Sequence, residues 1–139
     1  MVKLSVFSKL SEKNRDLINA AESVMSNGYD PYSHFYVGAA LRTKEQNIFR
    51  GANINTCAYG GICAERSAIA QATSSKQYLF ESIAIISRSD FFNLKGHSGP
   101  CGICRQMIWE FAELANKDIE IFISDSKKEQ ILITSIRNI

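Results

Sequence analysis

The order of apolar segments along the 139-residue chain predicts an α/β fold with three layers, in which helices cover both faces of a sheet. Segments with helical spacing alternate with strand-like segments, and one short strand is apolar throughout, as is typical of a strand buried on both faces. We find no internal repeat and no Pro/Gly/Ser-rich linker. Because the length also fits one domain, residues 1–139 are interpreted as a single domain.

The first half of the chain predicts a helix, two strands and a second helix. The first helix can begin after a Ser11 cap and end at Gly28. Its apolar positions keep helical spacing: Leu17, Ala20, Ala21, Val24 and Met25. Strands are predicted over 36–43 and 47–53, with a turn at 44–46 between them. Residues 63–73 again show helical spacing.

The second half predicts three strands and one helix. The continuously apolar strand covers 83–86, and a polar loop follows over 87–100. The next helix has an apolar stripe formed by Ile103, Met107, Ile108, Phe111 and Leu114. Strands over 119–123 and 130–133 complete the pattern, joined by a turn at 125–128.

Composition and charge exclude several classes of protein. The chain is 45% hydrophobic and 22% charged, which is ordinary for a globular domain. A formal net charge of +2 is too small to imply a nucleic-acid or acidic-membrane partner by itself. Lys3 and Lys9 interrupt the first apolar stretch, so no secretory signal is predicted and the cytoplasm is the expected compartment. In that compartment, four cysteines favour metal binding or catalysis over disulfides.

Three cysteines form a candidate metal site. Cys101 and Cys104 are three residues apart at the start of a predicted helix, so their sulfurs lie on one face. Cys63 opens another predicted helix, where unpaired backbone N–H groups favour a thiolate. Zinc prefers such ligands, and three protein ligands with an open position for water are typical of catalytic zinc rather than structural zinc.

Alternatives remain open at this point. Cys57 is a possible fourth ligand or a small buried hydrophobe, and an isolated C-x-x-C motif can also be a redox pair or a closed zinc knuckle. Glu65 favours the catalytic interpretation, because a carboxylate beside the open zinc position can move protons in a hydrolysis. The combined pattern, C-x-E followed by P-C-x-x-C, is typical of zinc deaminases.

The chain resembles the small, three-cysteine cytidine deaminases over most of its length. The matching segments are YDPYSHF at 29–35, VGAAL at 37–41, GANI at 51–54, CAERSAI at 63–69 and PCGICRQ at 100–106. This resemblance implies an α/β/α sandwich around a five-stranded mixed sheet, with one zinc ion per subunit. It also implies hydrolytic deamination of cytidine or deoxycytidine in pyrimidine salvage, by a homotetramer whose active sites neighbouring subunits complete.

The resemblance assigns metal-binding and catalytic roles residue by residue. It implies that Cys63, Cys101 and Cys104 hold the zinc and that Glu65 is the proton shuttle. Arg66 matches an arginine that hydrogen-bonds the thiolates. Such a contact is physically reasonable, because three thiolates exceed the charge of the zinc ion and Arg66 offsets part of that excess.

The resemblance also assigns substrate contacts. It implies that Phe35 packs on the pyrimidine, that the backbone N–H of Ala64 meets the base carbonyl, and that Asn53 binds the ribose. The family usually has Asn-x-Glu where this chain has Asn53-Ile54-Asn55. Asn55 can still bond a sugar hydroxyl, although an amide forms weaker hydrogen bonds than a carboxylate.

Other departures leave two alternative functions open. The loop before the zinc helix is one residue shorter than expected, and Gly60-Gly61 resembles the corresponding part of blasticidin-type deaminases, which act on another cytosine nucleoside. Gly99 stands where the family usually has a serine, but its backbone carbonyl can still accept from the amino group of the cytosine base. The Leu-Pro…Phe-Gly segment that often follows the last helix in the family is not found here. A non-catalytic zinc module, with four protein ligands or an occluded zinc, is the alternative from another class.

Overall fold

A computed structural model describes residues 2–58, 60–94 and 96–139, and its strands form one six-stranded mixed sheet. The strand order is β1-β6-β5-β4-β2-β3, in which β4 and β5 are parallel and every other neighbouring pair is antiparallel. The elements in chain order are β1 (Lys3–Ser5), a short 3₁₀ helix (Phe7–Lys9), α1 (Glu12–Met25), β2 (Phe35–Thr43), β3 (Ile48–Ala52), α2 (Ala64–Ser74), β4 (Phe80–Ser89), α3 (Gly102–Ala115), β5 (Glu120–Ser124) and β6 (Ile131–Ser135).

The alternation of side chains along β2 and β4 produces two cores and confirms the three-layer prediction. On one face, α1 packs against Ala40, Ala84, Ile86, Phe122 and Ile131. On the other face, α2 and α3 cover Ala39, Leu41, Ile83, Ile85, Ile121 and Ile123. The predicted double burial of residues 83–86 is confirmed, since all four are at most 2% exposed.

The sheet differs from the implied five strands by one additional strand, β1. It pairs antiparallel with β6 and has three residues, of which Lys3 and Leu4 are exposed. Val2, Leu4 and Val6 alternate with Lys3 and Ser5, which is a strand period, but this alternation is short and does not bury its apolar side chains, all three of which are exposed.

Strand β4 is longer than the predicted 83–86 and runs into the predicted loop over 87–100. Ser87, Arg88 and Ser89 extend it by pairing with the start of β2. These residues are polar, yet the ladder continues because β2 provides the backbone partners that hold them in the sheet.

Helix α1 begins as predicted but ends earlier. The backbone N–H of Asn14 donates to Ser11 Oγ at 3.3 Å, which confirms the Ser11 cap. The helix ends at Met25, with Ser26 as its C-cap rather than Gly28. In the part of the chain that the structure describes, none of the helices has the length and apolarity needed to cross a bilayer.

The topology places several predicted site residues at one end of the strands, beyond the carboxyl ends of β3 and β4. Strands β3 and β4 run in the same direction, because both are antiparallel to β2. Helices α2 and α3 therefore begin beyond the same end of the strands, where β2 also starts at Phe35. Crevices at the carboxyl ends of strands are the usual ligand sites of α/β sheets.

Replacing Gly38 with Ala tests the close packing of α1 on β2. A Cβ at this position would lie 2.1 Å from the backbone carbonyl oxygen of Ala21, so the helix must shift outward. We expect Gly38→Ala to lower the free energy of unfolding by about 3 kcal/mol, measured by urea denaturation. Gly60→Ala is the control, because a Cβ there meets nothing within 4 Å. An unchanged midpoint for Gly38→Ala would contradict the described packing.

Candidate functional site

Two helix starts bring three cysteine sulfurs together. Cys63 is the N-cap residue of α2, Cys101 is the N-cap residue of α3, and Cys104 lies in the first turn of α3. The three Sγ atoms lie within 4.8 Å of one another, and Cys63 Sγ is 3.5 Å from Cys101 Sγ. The predicted cluster of these three cysteine side chains is therefore present in the structure.

This cluster fits a tetrahedral zinc ion. Two sulfurs bound to one zinc at about 2.3 Å are separated by about 3.8 Å, which is close to the observed sulfur–sulfur distance. Among the residues that the structure describes, the metal-binding cluster contains Cys63, Cys101 and Cys104 and no fourth donor. Three thiolate donors suit zinc and leave one coordination position open.

Cys57 lies outside this cluster. Its side chain is exposed, so the expectation that it is a small buried hydrophobe is wrong. It also does not join the three clustered sulfurs. The short loop before α2 places Cys57 toward solvent, and the described donor set is that of an open zinc site.

Burial and helix-start N–H groups act in opposite directions on the thiols. Burial raises the pKa of Cys104, and the negative charge of Glu65 acts in the same direction. Burial also raises the pKa of Cys63 against the hydrogen bond from Arg66. Burial opposes ionisation of Cys101 as well, but the backbone N–H groups of Cys104 and Ile103 help to lower its pKa. Three adjacent thiolates therefore require a cation such as zinc.

Arg66 lies beside the sulfur cluster. Its Nη2 is 3.7 Å from Cys63 Sγ and 3.4 Å from the backbone carbonyl oxygen of Gly61, to which it donates. Its Nε is buried and has no hydrogen-bond partner in the described part of the chain. This position suits the predicted offsetting of thiolate charge by Arg66.

Glu65 is a buried acid at the wall of a cavity. It is the second residue of α2, is 4% exposed, and lines the cavity together with Cys63 and Cys101. Burial raises the pKa of its carboxyl, and the opposing effects of its own backbone N–H, Cys104 and Arg66 do not cancel this. A carboxyl whose protonated form is favoured by its surroundings can both accept and return a proton.

The cavity has a volume of about 320 Å³, at the lower end of the range for small-molecule sites. Apolar side chains from β2 and β4 form one part of its wall. The loop before α2, the first turn of α2 and the loop before α3 form the rest. Its lining residues are Phe35, Val37, Asn53, Asn55, Gly61, Ile62, Cys63, Ala64, Glu65, Arg66, Ile85, Ser98, Gly99 and Cys101.

The predicted base-binding residues lie in this lining. Phe35 provides an aromatic ring, and Ala64 is the first residue of α2. Backbone N–H groups in the first turn of a helix have no partner within the helix, so the N–H of Ala64 can serve a ligand carbonyl. Gly99 also contributes to the wall, as required if its backbone carbonyl meets an amino group.

The two predicted sugar-binding amides share a partner that sequence reasoning did not assign. Asn53 and Asn55 both line the cavity, and both donate to Asp30 Oδ1 behind it. Asp30 lies within the matched segment at 29–35, but its spacing to other polar residues indicates no contact. The available signal was that this residue is the acid of that segment and lies beside a proline.

Comparisons with known proteins agree with this geometry. A family model described as the cytidine and deoxycytidylate deaminase zinc-binding region matches residues 11–116. The chain is 35% identical over 112 residues to the cytidine deaminase of Sporosarcina psychrophila, covering 80% of this chain and 76% of that protein. It is 33% identical over 110 residues to the blasticidin-S deaminase of Bacillus cereus, covering 74% and 76%. The crystal structure of cytidine deaminase from Burkholderia pseudomallei superposes with a TM-score of 0.76 at 32% identity, covering 91% of this chain and 94% of that one.

Substituting single cysteines tests the metal site. We expect native protein to contain one zinc ion per chain, measured by elemental analysis. Cys101→Ser should lower zinc affinity at least about a hundredfold in chelator competition, because even groups that only support metal ligands contribute tenfold to a hundredfold. Cys57→Ser is the matched control and should retain zinc, since Cys57 is exposed and outside the cluster. Loss of zinc from Cys57→Ser, or its full retention in Cys101→Ser, would contradict the site.

Proposed function

The chain belongs to the cytidine and deoxycytidylate deaminase family, and we propose that it hydrolyses cytidine and deoxycytidine to uridine and deoxyuridine with release of ammonia. The observation that carries this proposal is the buried carboxyl of Glu65 in a cavity that also exposes Cys63 and Cys101. A metal site and a proton-transferring acid that share one small cavity are the two components that a hydrolytic deamination requires.

Glu65 carries the proton transfers in this proposal. Zinc, when held by Cys63, Cys101 and Cys104, supplies the Lewis acidity that makes a water molecule acidic near neutral pH. Glu65 accepts a proton from the attacking water and delivers it to N3 of the pyrimidine as the new C4–O bond forms. Glu65 then transfers the second proton of that water to the amino group, which leaves C4 as ammonia. Water and cytidine are thus converted to uridine and ammonia without another reactant.

The remaining lining residues orient the base. Phe35 packs on the pyrimidine ring, and the backbone N–H of Ala64 donates to the base carbonyl. The backbone carbonyl of Gly99 accepts from the exocyclic amino group. Their position in the lining of one cavity supports these roles, because small-molecule sites combine apolar walls with a few placed polar groups. Asn53 and Asn55 lie on the sugar side.

Self-association accompanies this activity in our proposal. Helix α3 exposes Ile103, Trp109 and Leu114, and the loop after β4 exposes Phe91 and Phe92. Exposed apolar side chains on one helix support an interface between copies of the chain. We infer a homotetramer of single-domain subunits that salvages pyrimidine nucleosides in the cytoplasm, a compartment that keeps the free thiols reduced.

Replacing Glu65 with Gln tests the proposed mechanism. We expect Glu65→Gln to retain zinc and to lose about a thousandfold in cytidine turnover, because the amide cannot accept the transferred proton. The measurement is the loss of cytidine absorbance in zinc-replete protein. Glu45→Gln, in the exposed turn between β2 and β3, is the control and should keep full activity.

Three outcomes would overturn these assignments. Retained turnover by Glu65→Gln would remove Glu65 from the mechanism. Turnover of blasticidin S with negligible turnover of cytidine would replace the proposed substrate. Zinc-replete native protein that turns over neither compound would indicate a non-catalytic zinc module.

The oligomeric state can be measured by light scattering after gel filtration. A tetramer of the 15.5 kDa chain has a mass of about 62 kDa. We expect Leu114→Glu to reduce the measured mass, because it places a charge on the exposed apolar side of α3. Leu4→Glu is a control, since Leu4 is similarly exposed but lies in β1 at the edge of the sheet. A wild-type monomer would contradict the assembly.

A further inference from the structure

A buried carboxyl lies directly behind the sugar side of the cavity. Asp30 is 2% exposed and does not line the cavity itself. Its Oδ1 accepts hydrogen bonds from Asn53 Nδ2 at 2.9 Å and from Asn55 Nδ2 at 2.8 Å. Its Oδ2 is buried without a hydrogen-bond partner among the residues described. The mechanism proposed above does not use this acid.

Asp30 fixes the orientation of Asn55 and adds to the backbone contacts that already hold Asn53. An Oδ1 that receives two N–H groups acts as an acceptor, and it does so whether or not Oδ2 carries a proton. Each amide must therefore turn its nitrogen toward Asp30 and its oxygen away from it. Burial raises the pKa of the Asp30 carboxyl, while the Asn55 hydrogen bond and the charge of His34 oppose that effect.

The hydrogen-bonding capacity of Asn53 is almost fully used within the protein. Its Nδ2 donates both to Asp30 Oδ1 and to the backbone carbonyl oxygen of Phe35, at 2.9 Å in each case. Its Oδ1 accepts from the backbone N–H of Val37 at 2.9 Å. An amide oxygen has two lone pairs, so Asn53 can offer a ligand one acceptor position and no donor.

Asn55 is left with a free oxygen. Its Nδ2 donates to Asp30 Oδ1 and to Ser33 Oγ, the latter at 3.3 Å. Its Oδ1 receives no hydrogen bond from the residues that the structure describes. Because both amide hydrogens have partners in the protein, Asn55 also faces a ligand as an acceptor.

Two glycines leave space for this arrangement. A Cβ at Gly28 would lie 2.7 Å from Asp30 Oδ2 and 2.6 Å from Asn53 Oδ1. A Cβ at Gly61 would lie 2.8 Å from Asn55 Oδ1. Gly61 lines the cavity, so the free oxygen of Asn55 lies beside the cavity wall.

We propose that Asp30 is a positioning residue: it orients Asn55 so that this side chain, beside the backbone-held Asn53, completes an acceptor-only surface that selects nucleosides with a donating sugar hydroxyl at the 2′ or 3′ position. This inference rests on the proposed deaminase function and assigns the origin of its sugar preference. The Asp30 carboxyl also polarises the two amides, which strengthens the oxygen of Asn55 as an acceptor. The acid acts through Asn55 and does not contact the substrate.

Replacing Asp30 with Ala and comparing two substrates tests this role. We expect Asp30→Ala to lower kcat/KM for cytidine about tenfold, mainly through KM, because Asn55 loses its fixed orientation. The same variant should change kcat/KM for 2′,3′-dideoxycytidine less than about twofold, since that nucleoside lacks the 2′- and 3′-hydroxyls that are proposed to donate to Asn55. Asp30→Asn, which keeps an acceptor oxygen, should retain more cytidine activity than Asp30→Ala. Asp16→Ala, an exposed change on α1, is the control.

A charge exchange provides a second test. In wild type, the Asn55 amide lies at hydrogen-bond distance from the Asp30 carboxyl. Asn55→Asp alone puts a second carboxyl at that distance, where two like charges repel. We expect that variant to lose cytidine activity. The double variant Asp30→Asn with Asn55→Asp restores one donor and one acceptor, so it should recover kcat/KM to within about threefold of wild type. Urea denaturation of every variant separates loss of fold from loss of recognition.

Specific results would overturn the role of Asp30. Equal losses for cytidine and 2′,3′-dideoxycytidine in Asp30→Ala would indicate a purely structural residue, and unchanged activity on both would remove Asp30 from recognition. If Asp30→Ala does not fold, failure of the charge exchange to recover activity would overturn the inference instead. If wild-type protein deaminates neither nucleoside, the proposed function fails separately. Calorimetric binding of uridine and 2′,3′-dideoxyuridine to the same variants then decides the role of Asp30.

Discussion

The convergence of three cysteine sulfurs at two helix starts is the constraint on which the remaining structure of the site depends. Cys63 and Cys101 are N-cap residues of different helices, and their sulfurs lie 3.5 Å apart. Such a short distance is possible only if both helices begin at the same end of the strands. They do so because α2 follows β3, α3 follows β4, and β3 and β4 run in the same direction. Thiolates this close repel one another, so zinc is an integral part of the folded site.

The position of Glu65 follows from the same helix start. As the second residue of α2, it is fixed relative to Cys63 by helical geometry, and packing of α2 on the sheet buries its carboxyl. Burial raises the pKa of the Glu65 carboxyl because a buried carboxylate is costly, so the protonated form is favoured. A carboxyl with a raised pKa is suited to proton transfer. One element thus presents both a metal ligand and an acid to the same cavity.

Local patterns predicted much of the fold and the core of the site. The Ser11 cap, the double burial of 83–86 and the pairing of Cys101 with Cys104 each depend on short spacings or on a repeating period. Cys63, 38 residues before Cys101, was joined to that pair through the zinc-deaminase motif. Strand β1 and the last three residues of β4 were missed because their residues are polar or exposed and are held by partners distant in the sequence. Asp30 was missed for a related reason, since its contacts with Asn53 and Asn55 cross more than twenty residues of chain. Cys57 carries no local signal that distinguishes an exposed from a buried thiol.

The central claim is that three cysteine sulfurs hold zinc and leave one position that the protein does not fill. X-ray absorption at the zinc edge, recorded on native protein purified without chelators, tests this claim most directly. The account predicts three sulfur neighbours at about 2.3 Å and one lighter neighbour at about 2.0 Å for each zinc ion. Four sulfur neighbours, or native protein without zinc, would contradict it.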